Sequence, residues 1–370
     1  MKIKLRRAQL QIDLSAIEEN WRRLSRLVRP GVRIAAVLKS DAYGLGLLPV
    51  GALLSRLGCR DFVVGTIEEA EVLRKVAPSQ SIQVLYADMD RDLRNFSAMQ
   101  IIPVINDERG FRYWLQHYPR LSATLRVDTG LSTFGIDWRE VPGLWARYAK
   151  SDTSLTTLMS HLAAENKADI EKSLEQKMRF DQVCRHICAK EKSLAASGGA
   201  LLGPAFHYDL VRSGLYLLGF EVDSDKPDIT VPAVTLDAPI IAIRDVRKGE
   251  SIGYDLDCKA HKNLRIAVAF LGLSHGMWIP RSVQVRAQIG QWEIPSIGRV
   301  ELEKTIFDVS DVPMEELYHG SAVRLIGGPT KIENLARSIG AHPNELLCRF
   351  SHSITRNYVA SGAHVGSNKL

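Results

Sequence analysis

The chain has 370 residues, a length that favours two domains over one. Hydrophobic residues make up 45% of it, which is ordinary for a globular protein with a sizeable core. The formal net charge of +6 arises from lysines and arginines scattered among acidic residues, without a basic stripe, so nucleic acid is excluded as an expected partner.

The cysteines and the N-terminal segment indicate the compartment. Five dispersed cysteines, an odd number, argue against a disulfide framework and for a reducing environment. Cys184 and Cys188 are four residues apart on a predicted helix, but no second ligand pair follows, so we expect buried free thiols and no metal site. The basic N-terminus lacks an apolar signal core, and no apolar run could span a bilayer. We therefore expect a soluble cytoplasmic protein.

The predicted elements of the first part of the chain alternate between strands and helices. A strand at Leu10–Leu14 and a helix reaching about Val28 come first. The strand-like apolar runs that follow are Ile34–Leu38, Phe62–Val64, Ile82–Tyr86, Ile101–Ile105, Ala123–Val127, Leu155–Ser160, Leu194–Ser197 and Tyr208–Val211. The helical segments between them are Leu47–Leu57, Ile67–Lys75, Asp90–Met99, Glu108–His117, Val141–Lys150 and Asp169–Lys192. Eight such units predict a TIM (β/α)8 barrel, and a doubly wound open sheet is the competing arrangement.

The pattern changes after about Glu221. Short β-like runs separated by glycine turns follow: Ile240–Ile243, Ile266–Phe270, Val283–Ala287, Thr305–Val309 and Ala322–Ile326. Short helices are expected near Ile332–Ser338 and Asn344–Cys348. We predict an α/β chain with an N-terminal TIM-barrel domain over residues 10–225 and a mainly-β C-terminal domain over residues 226–370, with which residues 1–9 are candidates to pack.

Side chains that can take part in catalysis or ligand binding stand at the ends of several predicted barrel strands. Lys39 ends the first, His161 the sixth, Ser197 the seventh and Arg212 the eighth. Because the carboxyl ends of barrel strands share one face, these side chains are expected to converge. Each also has an ordinary structural interpretation: a solvated cap for Lys39, a structural histidine, a tight turn at Ser197.

The functional interpretation of the same residues is a site for pyridoxal phosphate (PLP). A lysine at a strand end can lose its charge by burial and attack the cofactor's aldehyde. The hydroxyls of Tyr43 and Ser197 could bind a phosphate, with Gly214 nearby. Arg212 cannot give up its proton, so opposite a pyridine nitrogen it would keep that nitrogen unprotonated and favour simple proton removal and return.

Six segments carry a family resemblance that covers nearly the whole chain: VLKSDAYGLG, RVDTG, SHLA, DLVRSG, KGESIGYD and IGRV. Together they resemble the alanine racemase family, which is PLP-dependent, two-domain and of fold type III. The resemblance implies that Lys39 carries PLP and acts as one base. It places Tyr254 as the second base, reaching the site from the partner subunit of a homodimer, so that the active sites are shared. Racemisation needs two such groups on opposite faces of the substrate Cα.

The resemblance also assigns the residues around the cofactor. It implies a ring-packing role for His161 and a contact of Arg212 with the pyridine nitrogen. The implied phosphate-binding residues are Tyr43, Ser197, Gly214 and Leu215, with His352 in the place of a late tyrosine of the family.

The substrate-binding positions depart from the family pattern. Arg126 replaces a lysine that is often carbamylated, and Thr133 replaces the arginine that helps bind the substrate carboxylate. Leu302 replaces the family's methionine after GRV. Arg126 and Arg299 are the candidates to bind the substrate carboxylate in place of the missing arginine. We predict that Arg126 does so, because it lies two residues before Asp128 on one strand and so points to the same face.

These observations predict an isomerase that interconverts L-alanine and D-alanine by two-base proton transfer through Lys39 and Tyr254. The expected partners are a small amino-acid substrate and a second copy of the chain, with neither nucleic acid nor membrane. The alternatives are a racemase of another amino acid, a PLP-dependent lyase or decarboxylase, and a PLP-binding protein without activity. Retention of Tyr254 and Arg212 favours proton transfer, and the C-terminal domain argues against a single-domain carrier.

Overall fold

The computed structural model describes residues 6–222, 229–256, 258–350, 352–360 and 363–367. The chain divides into two compact units. One is Ala16–Val231, and the other combines the chain from Pro232 onward with the strand Gln9–Asp13. That strand belongs to the second unit because both of its neighbours, Val234–Val246 and Thr355–Ala360, lie there. The predicted domain boundary between residues 225 and 226 falls outside the described residues.

The first unit contains a nearly closed barrel of eight parallel strands in the described part of the chain, which confirms the predicted TIM barrel. The strands are Arg33–Val37, Asp61–Val64, Ser81–Val84, Ile101–Ile105, Ala123–Asp128, Leu155–Met159, Glu191–Ser193 and Leu210–Ser213. The eighth strand pairs with the first. The amides of Asp209 and Arg212 donate to the carbonyls of Lys192 and Ala195, both at 3.1 Å, and link the eighth strand to the seventh. A short strand, Ile136–Asp137, pairs with the fifth.

The helix Leu14–Leu27 precedes the first barrel strand. Further helices follow the barrel strands, as the alternation predicts, with the bounds Leu47–Arg56, Ile67–Arg74, Met89–Ala98, Glu108–His117, Val141–Tyr148 and Ile170–Cys184. Shorter 3-10 turns lie at Lys167–Asp169, Gly199–Leu202 and Pro204–Phe206. Within the described residues, none of the helices combines the length and the apolar character that crossing a membrane requires.

The seventh barrel unit differs from its prediction. The helix expected over Asp169–Lys192 ends at Cys184, and the strand expected at Leu194–Ser197 lies at Glu191–Ser193. That strand is polar, and Glu191 is buried because Thr157 Oγ1 donates to its carboxylate at 2.6 Å and Arg33 forms an ion pair with it. An apolar-run criterion cannot detect a strand whose buried side chain is a paired carboxylate.

The second unit is mainly β, which confirms that part of the predicted fold class. Its strands after Gln9–Asp13 are Val234–Val246, Ser251–Ile252, Cys258–Lys259, Leu264–Ala269, Arg286–Ile289, Trp292–Ile297, Thr305–Asp308, Ala322–Ile326, Thr355–Ala360 and Ala363–Ser367. Its helices are Ile332–Ser338 and Pro343–Arg349, with 3-10 turns at Leu273–His275 and Met314–Glu316. The alternation of buried Leu10 and Ile12 with more exposed neighbours on the first strand fits a sheet with one covered face.

Candidate active site

Predicted site residues of the barrel domain meet at the carboxyl ends of its strands. Nη2 of Arg212 lies 3.3 Å from Nδ1 of His161. Burial lowers the pKa of His161 to about 3, and the nearby charge of Arg212 is the second cause. The charges of Arg126 and Lys39 also lower the pKa of His161. His161 is therefore a neutral ring at physiological pH, beside the guanidinium of Arg212.

The turn that carries Lys39 has an unusual backbone. The strand ends at Val37, and the four residues after the lysine, Ser40–Tyr43, all have φ between 53° and 56°. This is a left-handed turn, which costs L-residues about 1–2 kcal/mol each and persists only where surrounding contacts hold it. The backbone amides of Ala42 and Gly44 donate to the carbonyls of Leu38 and Ser40, at 2.9 and 2.8 Å. The turn fixes the direction in which the chain leaves Lys39.

Two hydroxyls and a tightly packed glycine form a cradle beside this turn. Ser197 is buried, and its Oγ accepts hydrogen bonds from the amides of Gly214 at 3.2 Å and Tyr216 at 3.3 Å. A Cβ atom on Gly214 would lie 2.8 Å from Oη of Tyr43 and 3.0 Å from the carbonyl of Val37. Tyr43, Ser197 and Gly214 therefore converge, and Leu215 follows directly. Hydroxyls and bare backbone at strand ends suit a phosphate, so these residues fit PLP.

Arg212 is held rigidly inside the barrel mouth. Its Nη1 donates to Ser193 Oγ at 2.5 Å, and its Nη2 donates to the carbonyls of Ser160 at 2.6 Å and Leu194 at 3.2 Å. Burial lowers the pKa of Arg212 to about 10, so the guanidinium stays charged near neutral pH. A fully buried, fixed donor of this kind can hold a hydrogen bond to a ring nitrogen but cannot accept a proton.

A partly buried carboxylate that sequence reasoning missed supports the cradle. Glu165 accepts hydrogen bonds from the amides of Ala196 at 2.8 Å and Gly198 at 3.0 Å, on either side of Ser197. A Cβ atom on Gly198 would lie 2.6 Å from the carbonyl oxygen of Glu165. Burial raises the pKa of Glu165, while those amides oppose the shift. In the sequence, Glu165 is marked only by its position four residues after His161 and by the two glycines that follow Ser197.

The predicted substrate-binding residues of the barrel have different surroundings. The guanidinium carbon of Arg126 lies 5.5 Å from the ring centroid of Phe134, and burial lowers the pKa of Arg126. Asp128 Oδ1 accepts from the amides of Gly130, Leu131 and Ser132, at 2.8 to 3.1 Å, and shapes the turn leading to Thr133. Thr133 is exposed and lines a cavity of about 710 Å³ together with Phe134 and Tyr86.

The remaining predicted site residues belong to the C-terminal unit. Tyr254 is 60% exposed, and its ring centroid lies 5.8 Å from the guanidinium carbon of Arg299 and 5.6 Å from Nζ of Lys304. Leu302 is 67% exposed, and its carbonyl accepts a hydrogen bond from the amide of Ser274 at 2.8 Å. His352 is exposed. The roles of Tyr254, Leu302 and His352 stay predictions.

The cysteines and other side chains that can bind a metal form no disulfide and no metal site among the described residues. The five cysteines are thiols outside any disulfide, and of the predicted pair Cys184 is half-buried while Cys188 is exposed. The expectation that both thiols are buried is wrong for Cys188, because the helix ends at Cys184. Among the described residues, no group of three or more His, Cys, Asp and Glu side chains is arranged to hold a metal ion.

Comparisons with known proteins agree on one family. The family model "Alanine racemase, N-terminal domain" matches residues 12–222, and "Alanine racemase, C-terminal domain" matches residues 233–358. The chain is 33% identical over 358 residues to "Alanine racemase 3" of Mesorhizobium japonicum, covering 96% of this chain and 92% of that protein. It is 32% identical over 356 residues to an alanine racemase of Methylobacterium nodulans, covering 95% and 96% of the two chains.

Solved structures agree with the sequence comparisons. An alanine racemase from Bartonella henselae with covalently bound pyridoxal phosphate superposes with a TM-score of 0.89 at 27% identity, covering 95% of this chain and 99% of that one. The biosynthetic alanine racemase of Pseudomonas aeruginosa gives a TM-score of 0.87 at 27% identity, covering 96% and 100%. The predicted family and fold are confirmed.

Proposed function

Since the chain belongs to the alanine racemase family, we propose that it is a PLP-dependent isomerase that interconverts L-alanine and D-alanine with Lys39 and Tyr254 as its two bases. The observation that carries the assignment to this site is the convergence at the barrel mouth. Lys39, neutral His161 and buried Arg212 lie beside a phosphate cradle of Tyr43, Ser197 and Gly214.

The residues of the chain divide the work of the reaction. When bound, PLP supplies an electron sink for the electron pair that the departing α-proton leaves behind. Nζ of Lys39 takes or returns that proton on one face of the substrate, and Oη of Tyr254 acts on the other. Arg212 would donate a hydrogen bond to the cofactor's ring nitrogen and, because a guanidinium offers no hydrogen-bond acceptor, would keep that nitrogen unprotonated.

Other residues bind and orient the cofactor in this proposal. The phosphate is held by the hydroxyls of Tyr43 and Ser197 and the backbone of Gly214 and Leu215, with His352 as a further predicted contact. His161 packs against the ring, and its low pKa keeps it uncharged there. The substrate positions Arg126, Thr133 and Leu302 remain those predicted from the sequence.

We also propose that the active unit is a homodimer in which Tyr254 reaches the partner's barrel. On the C-terminal unit, large hydrophobic side chains are exposed together with Tyr254: Leu256 at 69%, Leu273 at 41% and Leu302 at 67%. Backbone amides of Leu273 and Ser274 donate to the carbonyls of Glu301 and Leu302, so these segments adjoin. Exposed apolar surface of this kind is typical of an interface that another chain covers.

The replacement of the family's substrate-binding residues by Arg126 and Thr133 gives a testable prediction. Arg126 is the cation that we propose binds the substrate carboxylate, and losing a charge-assisted hydrogen bond costs about 1.5–3 kcal/mol. Arg126→Lys should therefore raise the KM for alanine about tenfold without releasing PLP. Thr133→Arg should lower that KM or change selectivity. Steady-state kinetics with absorbance of bound PLP measure both, and an unchanged KM in Arg126→Lys for every accepted amino acid would show that another group binds the carboxylate.

A racemase of another amino acid is the second candidate. It is favoured by the substrate-binding positions, where Arg126 and Thr133 replace the lysine and the arginine of the family pattern. A lyase or decarboxylase reaction remains a weaker alternative, because it leaves Tyr254 without a role. The domain limits at residues 225 and 226 and the cytoplasmic location also remain proposals from the sequence.

One incubation separates these functions. Purified protein with PLP is given single L-amino acids of increasing side-chain size in D2O, and both α-proton exchange and chirality are followed. We expect L-alanine to yield D-alanine that carries deuterium at Cα. Racemisation of other amino acids but not of alanine would favour the second candidate. Loss of carboxylate or side chain would indicate a decarboxylase or lyase, and no change in any amino acid would contradict an enzymatic role.

A further inference from the structure

The left-handed turn after Lys39 is held from outside by one carboxylate. Glu69 lies at the third position of the helix Ile67–Arg74. Its Oε1 accepts a hydrogen bond from the amide of Asp41 at 2.9 Å, within the turn. Its Oε2 accepts from the amide of Gly65 at 2.7 Å, at the end of the second barrel strand. One side chain therefore joins the turn of the first barrel unit to the strand end of the second.

Glu69 is itself fixed by the start of its helix. Thr66 caps the helix, and the amide of Glu69 donates to Thr66 Oγ1 at 3.4 Å while the amide of Thr66 donates to Oε2 of Glu69 at 3.4 Å. This capping box is a common helix start. Here, however, the carboxylate continues beyond its own helix to Asp41, which a cap alone does not require.

The carboxylate lies very near the lysine whose direction it would control. A Cβ atom on Gly65 would lie 3.0 Å from Oε2 of Glu69 and 3.6 Å from Cβ of Lys39. Both side chains therefore pack against Gly65. Asp41 is held on its other side as well, because its Oδ1 accepts a hydrogen bond from the amide of Leu47 at 2.6 Å. The turn is thus held at Asp41 from two directions.

We propose that Glu69 is a positioning residue for Lys39: it holds the left-handed turn in place, and so the direction of the lysine side chain, without contacting the substrate or cofactor. The proposal rests on the proposed function of Lys39. A carboxylate suits this task because both of its oxygens accept hydrogen bonds at the same time. The amide of glutamine offers one acceptor and presents donors to the second backbone amide.

The variant Glu69→Gln should therefore lower kcat for alanine about tenfold in both directions, since one charge-assisted hydrogen bond to the turn is lost. Glu71→Gln is the matched control, because Glu71 lies on the same helix and is exposed. Borohydride reduction of the wild-type protein, followed by peptide mapping, is done first. If wild type is neither active nor labelled at Lys39, the proposed function fails. If it is active and labelled, and Glu69→Gln is equally active, only the positioning role fails.

A rescue variant separates positioning from general destabilisation. Ser40 is exposed and has φ 55°, a conformation that glycine adopts without penalty. Adding Ser40→Gly to Glu69→Gln should recover several-fold of the lost kcat, while Ser40→Gly alone should change kcat less than about twofold. Failure of this rescue, with both proteins folded by circular dichroism, would overturn the proposal. Should Glu69→Gln not fold, Glu69→Asp withdraws the carboxylate by one carbon and should show the same loss and rescue.

Discussion

Replacing Lys39 with alanine is expected to lower the rate of alanine racemisation by at least about a thousandfold. The change removes both the attachment point of PLP and one of the two proposed bases. Chiral analysis of the product measures the rate. Borohydride reduction of the PLP-loaded wild type should place the pyridoxyl group on Lys39, and the variant should lose this label.

The matched control for this result is Lys75→Ala, which removes an exposed lysine at the end of the helix Ile67–Arg74. It should keep both activity and label. A pyridoxyl group on a lysine other than Lys39 in the wild type would contradict the assignment. So would a Lys39→Ala variant that racemises alanine at the wild-type rate.

Removal of the Tyr254 hydroxyl is expected to have the second largest effect. Tyr254→Phe keeps the ring between Arg299 and Lys304 but removes the acid–base group. Racemisation should fall by about 10²–10⁴. Because Lys39 still acts on its own face, one enantiomer of alanine should continue to exchange its α-proton with D2O without inversion. Proton NMR of L-alanine and D-alanine in separate samples measures the exchange.

Tyr148→Phe provides the control, since Tyr148 lies on the helix Val141–Tyr148 of the barrel, outside the proposed site. Equal loss of exchange for both enantiomers in Tyr254→Phe would mean that the tyrosine does not act as a one-sided base. Unchanged racemisation would remove it from the mechanism altogether.

The barrel could be predicted from the sequence because most of its strands are short apolar runs. Its seventh strand, Glu191–Ser193, could not, because the pairing of Glu191 with Arg33 and Thr157 makes a polar segment stable in the interior. Strand ends also indicated where Lys39 and Arg212 would meet, since all parallel strands present their carboxyl ends to one face. The convergence of these strand-end residues thus follows from the barrel topology, which the alternation of strand-like and helical segments in the sequence predicts.

The support of the site was much less predictable. The left-handed backbone after Lys39 runs against the intrinsic preference of serine, alanine and tyrosine, so no local pattern indicates it. The spacing of Thr66 and Glu69 indicates a helix cap, but not that the carboxylate also binds the amide of Asp41. Glu165 is similar, because its partners are backbone amides that any sequence would provide. Contacts from side chain to distant backbone leave no signature in residue types.

Mixing two inactive variants tests the central claim most directly, namely that Lys39 of one copy and Tyr254 of another form one racemising site. Lys39→Ala and Tyr254→Phe chains, carrying different tags, are allowed to exchange subunits, and the heterodimer is purified by both tags. Each heterodimer then has one site with both bases intact and one with neither. We predict recovery of about half the wild-type rate per dimer. Absence of recovery in a heterodimer of proven composition would contradict a site shared between subunits.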